Sequence, residues 1–306
     1  MSNATTESRR AEGVADCPPN LSRAPAIITR PVRVRAVDPR QPSSRGIGLA
    51  VTRHLLRTTT LPILATTRNP DPSAAKSSLI DSLGRDGIDD AARLHVLPLD
   101  VTDEASIQAA SERAAELFPP KTHHLHLGLA MPGILHPEKS PKQVDYAGAL
   151  ETLKVNTLGP LMLLKWFGEF LPRKGTDMSE VAATTASSAS AHHATFLLMS
   201  ARVGSTTDNR LGGWYSYRAS KAGVISLART FDNHLRVRSG DKAMAMAYHP
   251  GTVKTEFSRE FWGNVKEEKL FSAEFAAEKL VGVVGGRDVQ SDRGRCWDWK
   301  GEEVKP

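Results

Sequence analysis

The chain has 306 residues, two cysteines and a formal net charge of +6, and is long enough to bury a substantial core in one α/β domain. Cys17 and Cys296 are too few for a disulfide framework or a four-cysteine zinc site, so a reducing, cytoplasmic setting is expected, and no apolar run is long enough to span a bilayer. Residues 1–45 hold eight Arg against four Asp/Glu, whereas the remainder carries 32 basic and 30 acidic side chains; the positive charge is therefore partly that of an N-terminal arm, and does not by itself call for a nucleic-acid groove or a membrane partner.

In chain order, residues 1–24 read as a disordered basic arm and Pro25 to Thr29 as a short apolar strand. Helical spacing follows over Leu49 to Leu56, strands over Leu61 to Thr67 and Leu94 to Leu99, and a helix over Glu104 to Leu117. The alternation continues with a strand at His126 to Met131, a long helix at Ala149 to Leu171 and a polar surface loop from Arg173 to Ala194. It ends with strands at Thr195 to Ser200 and Ala243 to Tyr248 and helices at Ser220 to Leu235 and Ser272 to Val284. Near-continuous apolar strands separated by helices predict α/β architecture, a doubly wound parallel sheet covered by helices on both faces. Ligands of such sheets lie at the carboxyl ends of the strands.

Two motifs carry chemistry. Tyr217 and Lys221 stand four apart where a helical pattern begins, which stacks them on one helix face. A free phenol is too weak an acid to serve near neutrality, and a fixed ammonium beside it favours the phenolate, making a usable general acid/base. A solvated lysine on an amphipathic helix is the ordinary alternative. Ser44-Arg45-Gly46-Ile47-Gly48 opens the first helix; glycines there let a phosphate approach the unpaired helix N–H groups, although a Gly-x-Gly pair also occurs in common turns. His123, His124 and His126 lack an acid or cysteine at ligand spacing, and no metal is expected.

Taken in order, Ser44 to Gly48, Leu99-Asp100-Val101-Thr102, Lys154-Val155-Asn156-Thr157, Tyr217 to Lys221 and His249-Pro250-Gly251-Thr252-Val253-Lys254-Thr255 resemble the short-chain dehydrogenase/reductase family. The stretches Asp208 to Arg218 and Cys296 to Glu302 resemble its sniffer-like and C-factor-like carbonyl reductases. The resemblance implies a single Rossmann-type domain over residues 25–306 and an oxidoreductase that moves hydride between nicotinamide and a carbonyl or secondary alcohol. It implies Tyr217 as general acid/base, Lys221 as its partner and holder of the nicotinamide ribose, and Asn156, at an irregularity in its helix, as anchor of a proton-relay water. Cofactor contacts are implied for Arg45, Gly46, Ile47, Gly48, Asp100, Val101, Ala130, Gly133, Val253 and Thr255; for Asp100, a helix-capping or turn carboxylate is an equal reading. Homodimers or homotetramers that pair through the two long helices are implied as well. The second strand ends Thr66-Thr67-Arg68-Asn69 with no acid, while Arg68 and Arg45 make a cationic clamp for a ribose phosphate, so NADP is expected over NAD.

Three departures accompany the resemblance. Ala201 stands where the family places its serine, leaving Ser200 as the candidate hydroxyl if the strand end twists. Ala130-Met131-Pro132-Gly133 replaces the usual Asn-Asn-Ala-Gly. Arg30 to Ser43 separates the first strand from the glycines, displacing a two-residue Gly-Ala step with fourteen residues. A catalytically impaired member that acts as a binding or scaffold protein is accordingly the second reading. Binding of RNA or an acidic membrane through the arm is a third, which requires salt-sensitive affinity. Replacing Arg30 to Ser43 by Gly-Ala is expected to tighten NADPH binding in a fluorescence titration; unchanged affinity would show that the interruption is harmless.

Overall fold

The structure, a computed structural model, describes residues 26–29, 46–81, 91–178 and 193–306. The N-terminal arm, the Arg30 to Ser43 stretch and Arg45 lie outside the described residues. The helices are α1 (Gly46–Thr58), α2 (Ser73–Ile80), α3 (Glu104–Leu117), α4 (Tyr146–Leu153), α5 (Gly159–Phe167), α6 (Tyr215–Arg238) and α7 (Ala273–Gly285). The strands are β1 (Ala26–Thr29), β2 (Ile63–Thr67), β3 (Leu94–Pro98), β4 (Leu127–Ala130), β5 (Ala194–Met199), β6 (Ala243–His249), β7 (Thr252–Val253), β8 (Leu270–Phe271) and β9 (Cys296–Asp298).

Seven strands form one sheet in the order β3-β2-β1-β4-β5-β6-β9, while β7 and β8 pair separately. Every pairing between these strands is parallel. The expected first strand lies between β2 and β4, with Ile28 level with Ala65 on one side and Leu129 on the other. Strand order therefore reverses between β1 and β4, and the crevice of a doubly wound sheet opens there, above the carboxyl ends.

The sequence of β6 shows how the two faces are made. Ala243, Ala245 and Ala247 join the core on one side, with Phe196 and Leu198 of β5 and Val224 and Ala228 of α6. Met244, Met246 and Tyr248 point the other way, into a second core with Leu197, Met199 and residues of α1 and α7. Small side chains on the first face admit α6 close to the sheet, and period-two alternation sorts the larger ones to the opposite layer. A buried ion pair ties the same helix down: Arg293 donates to both Asp232 carboxylate oxygens at 3.0 and 2.9 Å, and Ala245 N–H donates to Asp232 Oδ1.

Among the helices whose spans differ from those expected, two shape the site. The helix expected from Ala149 begins at Tyr146 and is split by a π-helical turn, Lys154–Leu158. Pro160 has no N–H to give to the carbonyl of Asn156 four residues back, and Gly159 N–H reaches Lys154 O instead. The helix expected from Ser220 begins five residues earlier, which puts Tyr217 and Lys221 in its first two turns. Trp166, Phe167 and Phe170 lie in or against the core. No described helix is long and apolar enough to cross a membrane.

At the opposite edge of the sheet from the crevice, His124 is 6 % exposed and its Nε2 is buried without a hydrogen-bond partner. Desolvation lowers its pKa to about 4. Between about pH 6.5 and 4 the unfolded chain takes up a proton that the folded chain refuses, so stability present above pH 6.5 is lost as the pH falls through that window. Melting followed from pH 7 to 4 should show this decline, with a shallower slope in His124→Leu; an identical slope would contradict the assignment.

Candidate active site

A cavity of about 380 Å³ opens at the carboxyl edge. Its wall is assembled from the start of α1 (Ile47, Gly48), the chain after β4 (Met131 to Gly133, Leu135), the chain leaving β5 (Ser200 to Val203), α6 (Trp214, Tyr217, Lys221) and the segment after β6 (His249 to Val253, Thr255). Phe257 and Phe261, on the 3₁₀ segment Glu256–Asn264, close one side. The glycine turn and the Tyr217/Lys221 pair, 169 residues apart at Gly48 and Tyr217, thus share one chamber.

Tyr217 and Lys221 are 6 % and 2 % exposed. The Lys221 Nζ lies 5.8 Å from the centre of the Tyr217 ring and donates to Met199 O at 2.9 Å and to Pro132 O at 3.4 Å. It bridges the ends of β5 and β4. Desolvation lowers the Lys221 pKa to about 7 and raises that of Tyr217 above its ordinary value. Burial thus acts against the charged form of both groups, whereas the sequence spacing leads to the expectation that the cation favours the phenolate.

Close packing sets the position of the pair. A Cβ on Gly204 would lie 2.6 Å from the carbonyl carbon of Lys221 and 2.9 Å from Ala222 N, so glycine lets the loop after β5 rest directly on the helix backbone. Ser200 lines the cavity and donates from its hydroxyl to Lys221 O at 3.0 Å. Ala201 also lines the cavity. Ser205 points elsewhere, accepting from Asp208 N–H.

Asn156 sits in the π-helical turn, fully buried, and does not line the cavity. Its side chain accepts from Ile134 N–H at 2.8 Å and donates to Ile134 O at 2.9 Å and to Ser220 Oγ at 3.0 Å. That amide braces the chain after β4 against α6, and all three bonds are internal. A Cβ on Gly133 would stand 3.7 Å from Lys221 Nζ and 3.8 Å from Phe257.

Other sequence-predicted contacts are spread along the same edge. Gly46 has φ 67, and the first turn of α1 carries no acid. Val253 and Thr255 line the cavity as expected. Ala130 does not; its side chain is in the core, and Met131 to Gly133 form the wall beside it. Asp100 makes a turn rather than a helix cap, its Oδ1 accepting from Thr102 N–H and Oγ1, while Asp103 caps α3. The Val101 side chain packs within 2.9 Å of where a Cβ on Gly159 would be. Arg68 follows β2, half-buried, outside the cavity wall.

Sequence reasoning missed Leu135, Arg202, His249 and Trp214 as lining residues. His249 carries a buried Nδ1 without a hydrogen-bond partner, and burial lowers its pKa to about 4. Arg202 is engaged by Asp208 at 3.0 Å and Asp298 at 2.7 Å. The paired Gly212-Gly213 before Trp214 was the available signal of an unusual turn into α6.

Comparison with known proteins places the fold among oxidoreductases. A family model described as KR domain matches residues 44–136. The 1-hydroxy-2-glutathionyl-2-methyl-3-butene dehydrogenase of Rhodococcus sp. (strain AD45) is 29% identical over 192 residues, which span 62% of this chain and 72% of that protein. The C-signal protein of Myxococcus xanthus is 28% identical over 163 residues, 53% of this chain and 80% of that one. An NADPH-bound carbonyl reductase from chicken fatty liver has a TM-score of 0.70 and 25% identity, covering 94% of this chain and 100% of its own. The carbonyl reductase Sniffer of D. melanogaster shares the fold with a TM-score of 0.68 at 20% identity, over 92% and 99% of the two chains. The chain resembles the short-chain dehydrogenase/reductases, in sequence over residues 44–136 and in fold over nearly its whole length. In fold it resembles the carbonyl reductase Sniffer structures of D. melanogaster and Caenorhabditis elegans.

Because Gly204 has no room for a methyl group, Gly204→Ala should push α6 from the sheet and destabilise the fold by about 1–3 kcal/mol. Chemical denaturation measures this, and a midpoint equal to the parent's would contradict the close approach.

Proposed function

We propose that the protein is an NADP-dependent oxidoreductase that moves hydride between nicotinamide and a carbonyl or secondary alcohol of a small molecule, with Tyr217 as general acid/base. The observation that carries this reading is the meeting of Gly48, Tyr217, Lys221 and the Pro250 to Thr255 segment in one cavity. The residues fit a dinucleotide at its nicotinamide half. The start of α1, whose Ile47 and Gly48 line the chamber, has a left-handed Gly46 and no acid in its first turn, a buried lysine nitrogen stands inside the chamber, and among the described residues no Asp or Glu lines it.

When bound, NADP supplies or accepts the hydride. The chain's own residues bind, orient and move the proton. Tyr217 is a phenol at neutral pH, the state needed to donate to a carbonyl oxygen, and Lys221 in its protonated form favours the phenolate left behind. Lys221 would hold the nicotinamide ribose, with Val253 and Thr255 along the carboxamide edge. Gly46, Ile47, Gly48 and Arg45 would serve the phosphates, Arg68 with Arg45 the ribose phosphate, and Asp100, Val101, Ala130 and Gly133 the remaining contacts. The π-helical turn supports a relay role for Asn156, through its main-chain carbonyl because its side chain is spent on Ile134 and Ser220. Ser200 is the hydroxyl offered in place of Ala201, and it reaches a substrate oxygen by releasing Lys221 O. An apolar stripe of exposed Tyr146, Leu150, Leu153, Leu158 and Leu161 along α4, the π-helical turn and α5 supports the expected pairing of subunits.

Ala201 favours the second reading, a member that binds cofactor without appreciable turnover, since loss of one oxyanion donor costs about 100-fold or more. Following NADPH absorbance with aldehydes, ketones and quinones separates the two. The oxidoreductase reading expects turnover that falls at least about 100-fold in Tyr217→Phe. NADPH binding without turnover would support the scaffold reading, and absence of both would overturn the nucleotide site.

A further inference from the structure

Glu138 is 4 % exposed, belongs to no regular element and is used by none of the steps above. All its recorded bonds go to the entrance of α6. Its main-chain oxygen accepts from Trp214 N–H at 2.6 Å. Its carboxylate accepts from Ser216 N–H at 2.8 Å and from the Ser216 hydroxyl at 2.6 Å. An ionised carboxylate at the first turn of a helix meets unpaired N–H groups and the positive end of the helix dipole.

The turn it holds is strained. Gly212, Gly213 and Trp214 are all left-handed, with φ 64, 68 and 52, and Trp214 is the one non-glycine residue of positive φ among the described residues. A tryptophan stays in that region when its surroundings fix it there. From the opposite side, the Arg218 guanidinium donates to Gly212 O, Gly213 O and Val203 O. Glu138 thus takes the N–H groups of Trp214 and Ser216, Asn209 Oδ1 takes that of Gly212, and Arg218 takes the two glycine carbonyls. The conformation turns the Trp214 ring toward the cavity, where its centre is 6.2 Å from that of Tyr217 and 5.1 Å from that of Phe261.

We infer that Glu138 is a positioning residue: by fastening the left-handed Trp214 and the first turn of α6, it sets the aromatic wall beside Tyr217 before a substrate enters. The inference rests on the oxidoreductase reading for its consequence, not for its geometry. Remote positioning changes of this kind can cost up to about 100-fold in rate.

The full chain labelled with fluorotryptophan gives one fluorine NMR signal for each of its five tryptophans, and the Trp214 signal is identified by its loss in Trp214→Phe. In Glu138→Ala the Trp214 signal should shift or broaden while those of Trp166, Trp297 and Trp299 stay in place. Glu138→Gln, which keeps an acceptor for one Ser216 bond, should fall between. Should Glu138→Ala not fold, Ser216→Ala removes one bond and should move the same signal less. For a carbonyl substrate turned over by the parent, kcat/KM should drop about tenfold or more in Glu138→Ala with NADPH affinity within about twofold. A Trp214 signal unmoved in every soluble variant overturns the inference, as does an equal displacement of all the tryptophan signals, which would mark general loosening. Because the NMR readout needs no turnover, failure of the oxidoreductase reading would leave it interpretable.

Discussion

The site depends on a lysine side chain buried at the carboxyl edge of the sheet. Removing an ammonium from water is costly unless dipoles replace the hydration, and here the replacement comes from two main-chain carbonyls, Met199 O and Pro132 O. Those carbonyls belong to the ends of neighbouring strands, so one side chain gathers β4, β5 and α6 around a single point. The Gly204 approach, the Ala face of β6 and the Asp232–Arg293 pair all serve the same end, bringing the helix near enough for Lys221 to reach. Tyr217, one helical turn earlier, is carried into the cavity by that placement.

The departures from the family pattern have different structural weights. Loss of the asparagines after β4 leaves Ala130 as ordinary core and transfers the wall to Met131, Pro132 and Gly133, where a main-chain oxygen still serves Lys221. Loss of the serine at Ala201 is more consequential, because Ser200 spends its hydroxyl proton on the helix backbone. Under the proposed reaction the chain keeps the groups for proton transfer and cofactor approach, while a second donor to a substrate oxygen requires breaking the bond from Ser200 to Lys221 O.

Much of this was legible in the sequence because it rests on periodicity and short-range spacing. Glu104 to Leu117 was read to the residue, since Asp103 caps it and an apolar face runs its length. Ala26–Thr29 was recognised as the missing strand although Arg30 to Ser43 intervenes, because four apolar or β-branched residues had no other role. The irregularity at Asn156 was expected from resemblance, and Pro160 supplies its physical reason. What escaped was long-range. Nothing near Glu138 signals that it will cap a helix 78 residues away, and the placement of Ala130 outside the cavity follows from strand pleating against a core that one sequence does not display. The pKa balance also escaped, because spacing shows that a cation stands near a phenol but not how little water either meets.

The central claim is that Tyr217 and Lys221 serve hydride transfer from a nicotinamide bound beside Gly48. NADPH carrying deuterium at the transferable ring position, incubated with the protein and an aromatic ketone, tests it most directly by mass spectrometry of the alcohol formed. The account predicts an alcohol one mass unit heavier than that from ordinary NADPH, and its loss in Lys221→Met. An alcohol of unshifted mass, or a heavier alcohol formed equally well by Lys221→Met, would contradict it.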